Sequence, residues 1–268
     1  MHPPIVMTFA ATDPTGGAGL QADVLTLASL GCHPVSIATA ITVQDTHGVR
    51  EVHALETRWV LDQARALLDE MPVAAFKLGV LGSAQNAAAI AGLIAARRAP
   101  LVLDPVLASG RGDPLASDAT IEALLAHLLP LTTVLTPNSV EARRLAGAAP
   151  DANLDDCAAR LIARGVAHVL ITGTHEKSAE VVNTLYAASG SRNSRQFRRL
   201  EGSYHGSGCT LASAIAAQLA LGMPVPNAVN SAQDFTWRTL EAGFRPAAGQ
   251  HIPDRFYWAH DARHRTGS

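Results

Sequence analysis

The stretch IVMTFAATDPTGGAGLQADVLTLASL, residues 5–30, changes its periodicity in the middle. A short apolar run, residues 5–11, meets the turn-forming TDPTGGAG, and a helical pattern follows over 20–30, so the segment reads as strand, loop, helix. The same rhythm recurs along the chain. Residues 35–43 are β-branched and Thr-rich, 59–71 are amphipathic, 74–79 are strand-like and 84–98 form an Ala-rich helical pattern. Strand-like 101–104, a helix over 117–127 capped by Ser117, strand-like 133–135, helical 139–146 and 154–164, and strand-like 168–172 continue it.

Strands alternating with helices imply a mostly parallel sheet covered on both faces, because each parallel connection needs a crossover. Residues 181–186 and 196–200, joined by AASGSRNSR, read instead as a hairpin at the sheet edge. Two helices, beginning at Gly208 and Pro226, close the chain. No repeat, low-complexity tract or linker interrupts it, which predicts one α/β domain over residues 1–268.

Of the 268 residues 48% are apolar, enough for a sizeable core. Lys and Arg total 21 against 23 Asp and Glu, a formal charge of −2, and no basic block could track a nucleic acid backbone; the expected partner is a small molecule. Cys32, Cys157 and Cys209 are odd in number and far apart, which argues against a disulfide framework or a zinc site and for a reducing cytoplasm. The N-terminus lacks the basic region and long apolar core of a signal peptide, and residues 87–96 are too short to span a bilayer, so a soluble protein is expected.

Ligands of open parallel sheets gather beyond the carboxyl ends of the strands. Polar residues fall there: Asp13, Gln44, Lys77, Asp104, Asn138 and Thr172. In TDPTGGAGLQAD, Gly16, Gly17 and Gly19 let backbone approach a ligand, and Asp23 lies about one helical turn beyond; the pattern is neither a Walker A nor a dinucleotide motif. A plain structural turn fits it equally. Gln44 could pair with a heterocycle edge or simply end a strand. Asp104, Asn138 and Glu141 are oxygen ligands suited to magnesium, yet Asn138 precedes a helix and Glu141 lies in its first turn, where both could serve as caps. At 206–209, Gly206, Ser207 and Gly208 lead into a helix whose free N–H groups suit a transferring phosphoryl group. Cys209 there is expected to have its thiol pKa lowered by the helix dipole and to accept a proton, or else to be a buried, inert cysteine.

In order, ATDPTGGAGLQAD, TAITVQDTHGV, FKLGVLGS, VLDPVLASGRGDPL, LTPNSVEARRL, HGSGCT and FRPAAGQHIPDRFYW resemble the hydroxymethylpyrimidine/phosphomethylpyrimidine kinases of thiamine biosynthesis, a branch of the ribokinase-like superfamily. The resemblance implies a three-layer α/β/α kinase that uses ATP and Mg2+ to phosphorylate 4-amino-5-hydroxymethyl-2-methylpyrimidine and then its monophosphate. By position it implies that Gln44 reads the pyrimidine edge, with Ala18, Gly19 and Asp23 near the reacting group. Gly206, Ser207, Gly208 and Cys209 match the superfamily's anion hole, with Cys in place of the Asp base of sugar kinases. Asp104, Asn138 and Glu141 match positions for magnesium and phosphate, and Lys77 and Thr172 lie near the nucleotide phosphates. Two departures stand out: Thr172, Gly173, Thr174 and His175 replace a frequent Lys-Gly-Gly-His, predicting weaker ATP binding, and Asn183 replaces a usual Asp. A pyridoxal kinase of the same fold and a non-catalytic pyrimidine sensor are the alternatives. A homodimer is expected from size, with a flap over 46–56 closing the site or forming the interface.

Overall fold

The computed structural model describes residues 2–109 and 112–260; Gly110 and Arg111 of the VLDPVLASGRGDPL motif lie outside the described residues. Among the described residues nine strands form one sheet. In chain order they are β1 (Ile5–Ala11), β2 (His33–Gln44), β3 (Val49–Ala54), β4 (Val73–Leu78), β5 (Leu101–Leu103), β6 (Val134–Leu135), β7 (His168–Ile171), β8 (Glu180–Ala187) and β9 (Arg192–Arg198). Their order across the sheet is β3-β2-β1-β4-β5-β6-β7-β8-β9. From β2 to β7 every pairing is parallel; β3 and the β8–β9 hairpin are antiparallel additions at the two edges.

Successive side chains of a strand point to opposite faces, and the core divides accordingly. Met7, Phe76, Leu103 and Leu135 face one way, onto α2 (Thr57–Leu68), α3 (Ala84–Ile94), α5 (Ser139–Leu145) and α6 (Leu154–Ile162), with the short α4 (Asp118–Ala123) beside α3. Their neighbours Val6, Ala75, Val102 and Val134 face the other way, onto α1 (Gly19–Ser29), α7 (Ser207–Ala220) and α8 (Val225–Glu241). The result is the expected three-layer α/β/α arrangement. Alanines at 212, 214, 216 and 217 bring α7 close to the sheet. Among the described residues no helix is long and apolar enough to cross a membrane.

Three local readings differ from expectation. Residues 46–56 hold a strand, β3, whose side chains are mostly exposed; an unburied edge strand leaves no apolar alternation to detect. For the same reason β9 begins at Arg192 rather than at 196, through a polar segment exposed at the sheet's other edge. The helix over 117–127 is α4 as far as Ala123 and then widens into a π-helical turn, Leu124–Leu128, and a 3₁₀ turn, Leu129–Leu131.

One polar cluster crosses the layers. Thr8 of β1 and Lys77 of β4 are register partners on the face that receives α1 and α7. Lys77 Nζ lies 2.8 and 2.9 Å from the two carboxylate oxygens of Asp23, which also accept from Thr8 Oγ1 at 2.5 Å and Ser213 Oγ at 2.8 Å. All four side chains are fully buried. Breaking such a pair leaves a bare charge in a dry interior, so Lys77→Met should lower the unfolding free energy by about 3–5 kcal/mol in urea titrations. Removal of the exposed Arg192–Asp155 pair by Arg192→Ala should change it by less than about 1 kcal/mol. A loss below about 1 kcal/mol for Lys77→Met would contradict this account.

Candidate active site

A cleft of about 470 Å³ opens beyond the carboxyl ends of the parallel strands. The Gly-rich loop after β1 forms one wall. Asp13, almost fully buried, organises it by accepting from Thr15 N–H at 2.8 Å and Ala18 N–H at 2.6 Å, and its Oδ2 lies 2.9 Å from His205 Nε2. Burial opposes its ionisation, but His205 and the backbone donors outweigh burial and hold the carboxyl below its ordinary range.

The start of α7 forms the floor. Gly206 has φ +82°, and a Cβ there would run into the carbonyl of Gly17, so the two loops touch backbone to backbone. From the C-terminal tail, the buried Arg255 donates to Gly17 O at 2.5 Å, to Gly16 O at 3.4 Å and to Thr210 Oγ1 at 3.1 Å. Residues 207–209 supply first-turn N–H groups to a helix with no side-chain cap, and all three residues line the cleft. Gly208 leaves space towards Asp104, whose oxygens would lie 3.7 and 3.8 Å from a Cβ at that position.

Asp104 follows β5, and its Oδ2 is buried without a hydrogen-bond partner. Burial raises its pKa to about 6, against the pull of Lys77; Asp23 adds to the rise, while a hydrogen bond with Cys209 opposes it. Glu141 is pushed up to about 8, first by burial and then by the Asp104 charge, although N–H groups of Asn138 and Leu107 favour its carboxylate. These two acids share a low-dielectric pocket in which both cannot carry charge cheaply.

Several sequence expectations change here. Asp23 does not line the cleft: it is fully buried, and both its oxygens are committed to Lys77, Thr8 and Ser213 below the floor. Lys77 reaches the cleft wall, but its ammonium is held by Asp23, and its charge is felt by Asp104 and Cys209. The Cys209 thiol is raised, not lowered: burial pushes it up to about 12, with Asp104 and Asp23 adding to the rise, and this outweighs Lys77 and the Gly19 N–H. Asn138 caps α5, its Oδ1 accepting from Val140 and Glu141 N–H, while Glu141 Oε2 accepts from Asn138 N–H. That oxygen of Asn138 has no lone pair left for a metal.

Gln44, Ala18, Gly19 and Thr172 all line the cleft. Among the described residues the Gln44 amide has no hydrogen-bond partner, whereas the backbone of Thr172 bonds to Pro137 and Ser139. The sequence reading missed His205 and Arg255 as organisers of the site. His205 adjoins the 206–209 loop and Asp13 opens an Asx-type turn, both visible signals; Arg255 lies in the tail motif FRPAAGQHIPDRFYW, but its partners, the carbonyls of Gly16 and Gly17 and the Thr210 hydroxyl, are too far along the chain for the sequence to pair them.

The family model described as phosphomethylpyrimidine kinase matches residues 13–254. The hydroxymethylpyrimidine/phosphomethylpyrimidine kinase of Streptomyces coelicolor is 39% identical over 259 residues, covering 96% of each chain. The thiamine biosynthesis bifunctional protein ThiED of Geobacter sulfurreducens is 36% identical over 97% of this chain and 54% of its own length. An ADP complex of Bacillus subtilis pyridoxal kinase superposes with a TM-score of 0.87 at 26% identity, covering 96% of this chain and 99% of that one, which gives the ribokinase-like fold.

The two glycines of the floor should respond differently to a methyl group. Gly206→Ala meets both a carbonyl and a positive φ and should lower the melting temperature by several degrees. Gly208→Ala should melt like wild type. Thermal scans giving equal losses for both would contradict the packing of the 206–209 loop on Gly17.

Proposed function

The chain belongs to the phosphomethylpyrimidine kinase family and is a phosphotransferase of the thiamine pathway with ATP as cosubstrate; we propose that it phosphorylates 4-amino-5-hydroxymethyl-2-methylpyrimidine and then its monophosphate. The observation that carries this reading is the uncapped helix start at 207–209 facing the unpartnered Oδ2 of Asp104 in one cleft. Gln44, with a free amide bearing both donors and an acceptor, suits the amino and ring-nitrogen edge of the pyrimidine. Ala18 and Gly19 back the reacting group, and the N–H groups of Ser207, Gly208 and Cys209 stabilise charge on the transferring phosphoryl oxygens. Thr172 stands beside the nucleotide phosphates without the cation that a Lys would bring.

Magnesium fits the same pocket. Asp104 Oδ2 lacks a partner and Glu141 lies within its field, while among the described residues no three-member cluster would hold a metal unaided. Magnesium keeps several waters and shares few carboxylates, so Asp104, with Glu141 directly or through water, would hold it together with substrate phosphates. When bound it would neutralise phosphate charge. Cys209 is assigned as the acceptor of the hydroxyl proton, a role open to its thiolate.

The chain is further read as a cytoplasmic homodimer. Free Cys32, Cys157 and Cys209 support a reducing compartment, and the exposed Ile41 and Val43 of β2, beside β3, support a contact face. The likeness to pyridoxal kinase makes pyridoxal the second candidate substrate; a higher kcat/KM for pyridoxal than for the pyrimidine would favour it.

A coupled ADP-release assay with the hydroxymethylpyrimidine, ATP and magnesium should give turnover, and mass spectrometry should count first one and then two phosphates on the product. No turnover above a Gly208→Asp control would overturn the reading. Cys209→Ala should lower kcat by about 10²-fold or more with little change in KM. Because the thiol pKa is raised towards about 12, the thiolate fraction grows with pH, and wild-type kcat should climb above neutrality rather than peak there. A kcat independent of pH between 7 and 9 and insensitive to Cys209→Ala would remove the proton acceptor from this site.

A further inference from the structure

The end of the cleft away from Gln44 is a slot between the β8–β9 hairpin and α8. Its walls are apolar, from Val181, Phe197, Trp237 and Leu240, and Trp237 is fixed by its Nε1–H to Arg198 O at 3.2 Å. Two amides, Asn183 and Gln233, are buried there, exposed by only 9% and 4%. Their orientations follow from one fixed donor. Gly173 N–H, which can only donate, lies 3.1 Å from the Asn183 side chain, so the atom facing it is Oδ1. The Nδ2 of Asn183 therefore faces Gln233 at 3.0 Å, and the atom it meets is the acceptor Oε1. Gln233 must then turn its NH₂ the other way. Among the described residues that Nε2 has no hydrogen-bond partner, and Gln233 lines the cleft. The slot thus offers a flat apolar space with an outward-facing, pre-oriented donor.

We propose that Gln233, oriented by Asn183, donates a hydrogen bond to a ring-nitrogen acceptor of the purine base of the phosphoryl donor and so sets base specificity. This rests on the reading that the cleft takes ATP. Asn183 is the positioning residue: an aspartate at 183 would still accept from Gly173 but would also accept from Gln233, turning its Oε1 into the slot.

Calorimetric titration of wild-type chain with ADP and with 1-, 3- and 7-deaza-ADP tests this without any variant. One analogue should bind about 3- to 10-fold more weakly than ADP, as expected for one lost neutral hydrogen bond. Gln233→Leu should bind ADP itself that weakly and no longer distinguish the analogues, with the KM for the pyrimidine unchanged. Asn183→Asp should weaken ADP binding in the same way while leaving the melting temperature near wild type. Equal wild-type affinity for ADP and all three analogues would overturn the assignment of Gln233 while leaving the ATP reading intact. Absence of ADP binding by wild type would overturn both.

Discussion

A single buried ion pair, Lys77 with Asp23, holds together the parts on which the site depends. Asp23 belongs to α1, Lys77 to β4, and the hydroxyls that complete the cluster come from β1 and α7. A carboxylate taken out of water needs all of these partners, so the four elements are locked in one relative position. That lock places the start of α7 beside Asp104. It also sets the charge balance, since the Lys77 ammonium draws both Asp104 and Cys209 towards their ionised forms while burial and Asp23 push them back. The pocket is left with a protonated thiol, acids raised above their usual range and an uncapped helix end, an arrangement that favours the joint arrival of a phosphate and a cation.

The loops above this lock are held from both ends of the chain. Asp13 gathers the Gly-rich loop and reaches His205, immediately before the floor. Arg255 closes the same loop from the C-terminal tail, fixing the carbonyls of Gly16 and Gly17 and the hydroxyl of Thr210. Burial lowers the Arg255 guanidinium to about 10, still charged at neutral pH. Positive charge thus lies beneath both loops without facing the solvent. Such preorganisation lets backbone donors meet a phosphoryl group without rearranging first.

The layered fold was legible because buried parallel strands and amphipathic helices carry different periods, as the β1-to-α1 segment shows. The edge strands β3 and β9 were not, because Arg50, Glu51 and residues 192–194 are exposed and carry no burial pattern. Strand-end positions led correctly to the cleft for Gln44, Asp104 and Thr172. Position did not reveal that Lys77, although it reaches the cleft wall, is paired with the fully buried Asp23 across 54 residues of sequence. The thiol of Cys209 was misjudged for a related reason: the helix dipole is a local feature, while the burial that outweighs it comes from packing of distant segments. Asn138 and Glu141 showed both their possible uses in sequence, and the structure gives the capping box to the pair while leaving the Glu141 carboxyl beside Asp104.

The central claim is that the N–H groups of 207–209, placed by the buried pair below them, receive the phosphoryl group in flight. A crystal structure with ADP, magnesium, aluminium fluoride and the hydroxymethylpyrimidine tests it most directly. The account predicts a planar fluoride within about 3.2 Å of the N–H groups of Ser207, Gly208 and Cys209, between the nucleotide and a pyrimidine paired with Gln44. A fluoride bound elsewhere in the cleft, with those N–H groups pointing at water, would contradict it.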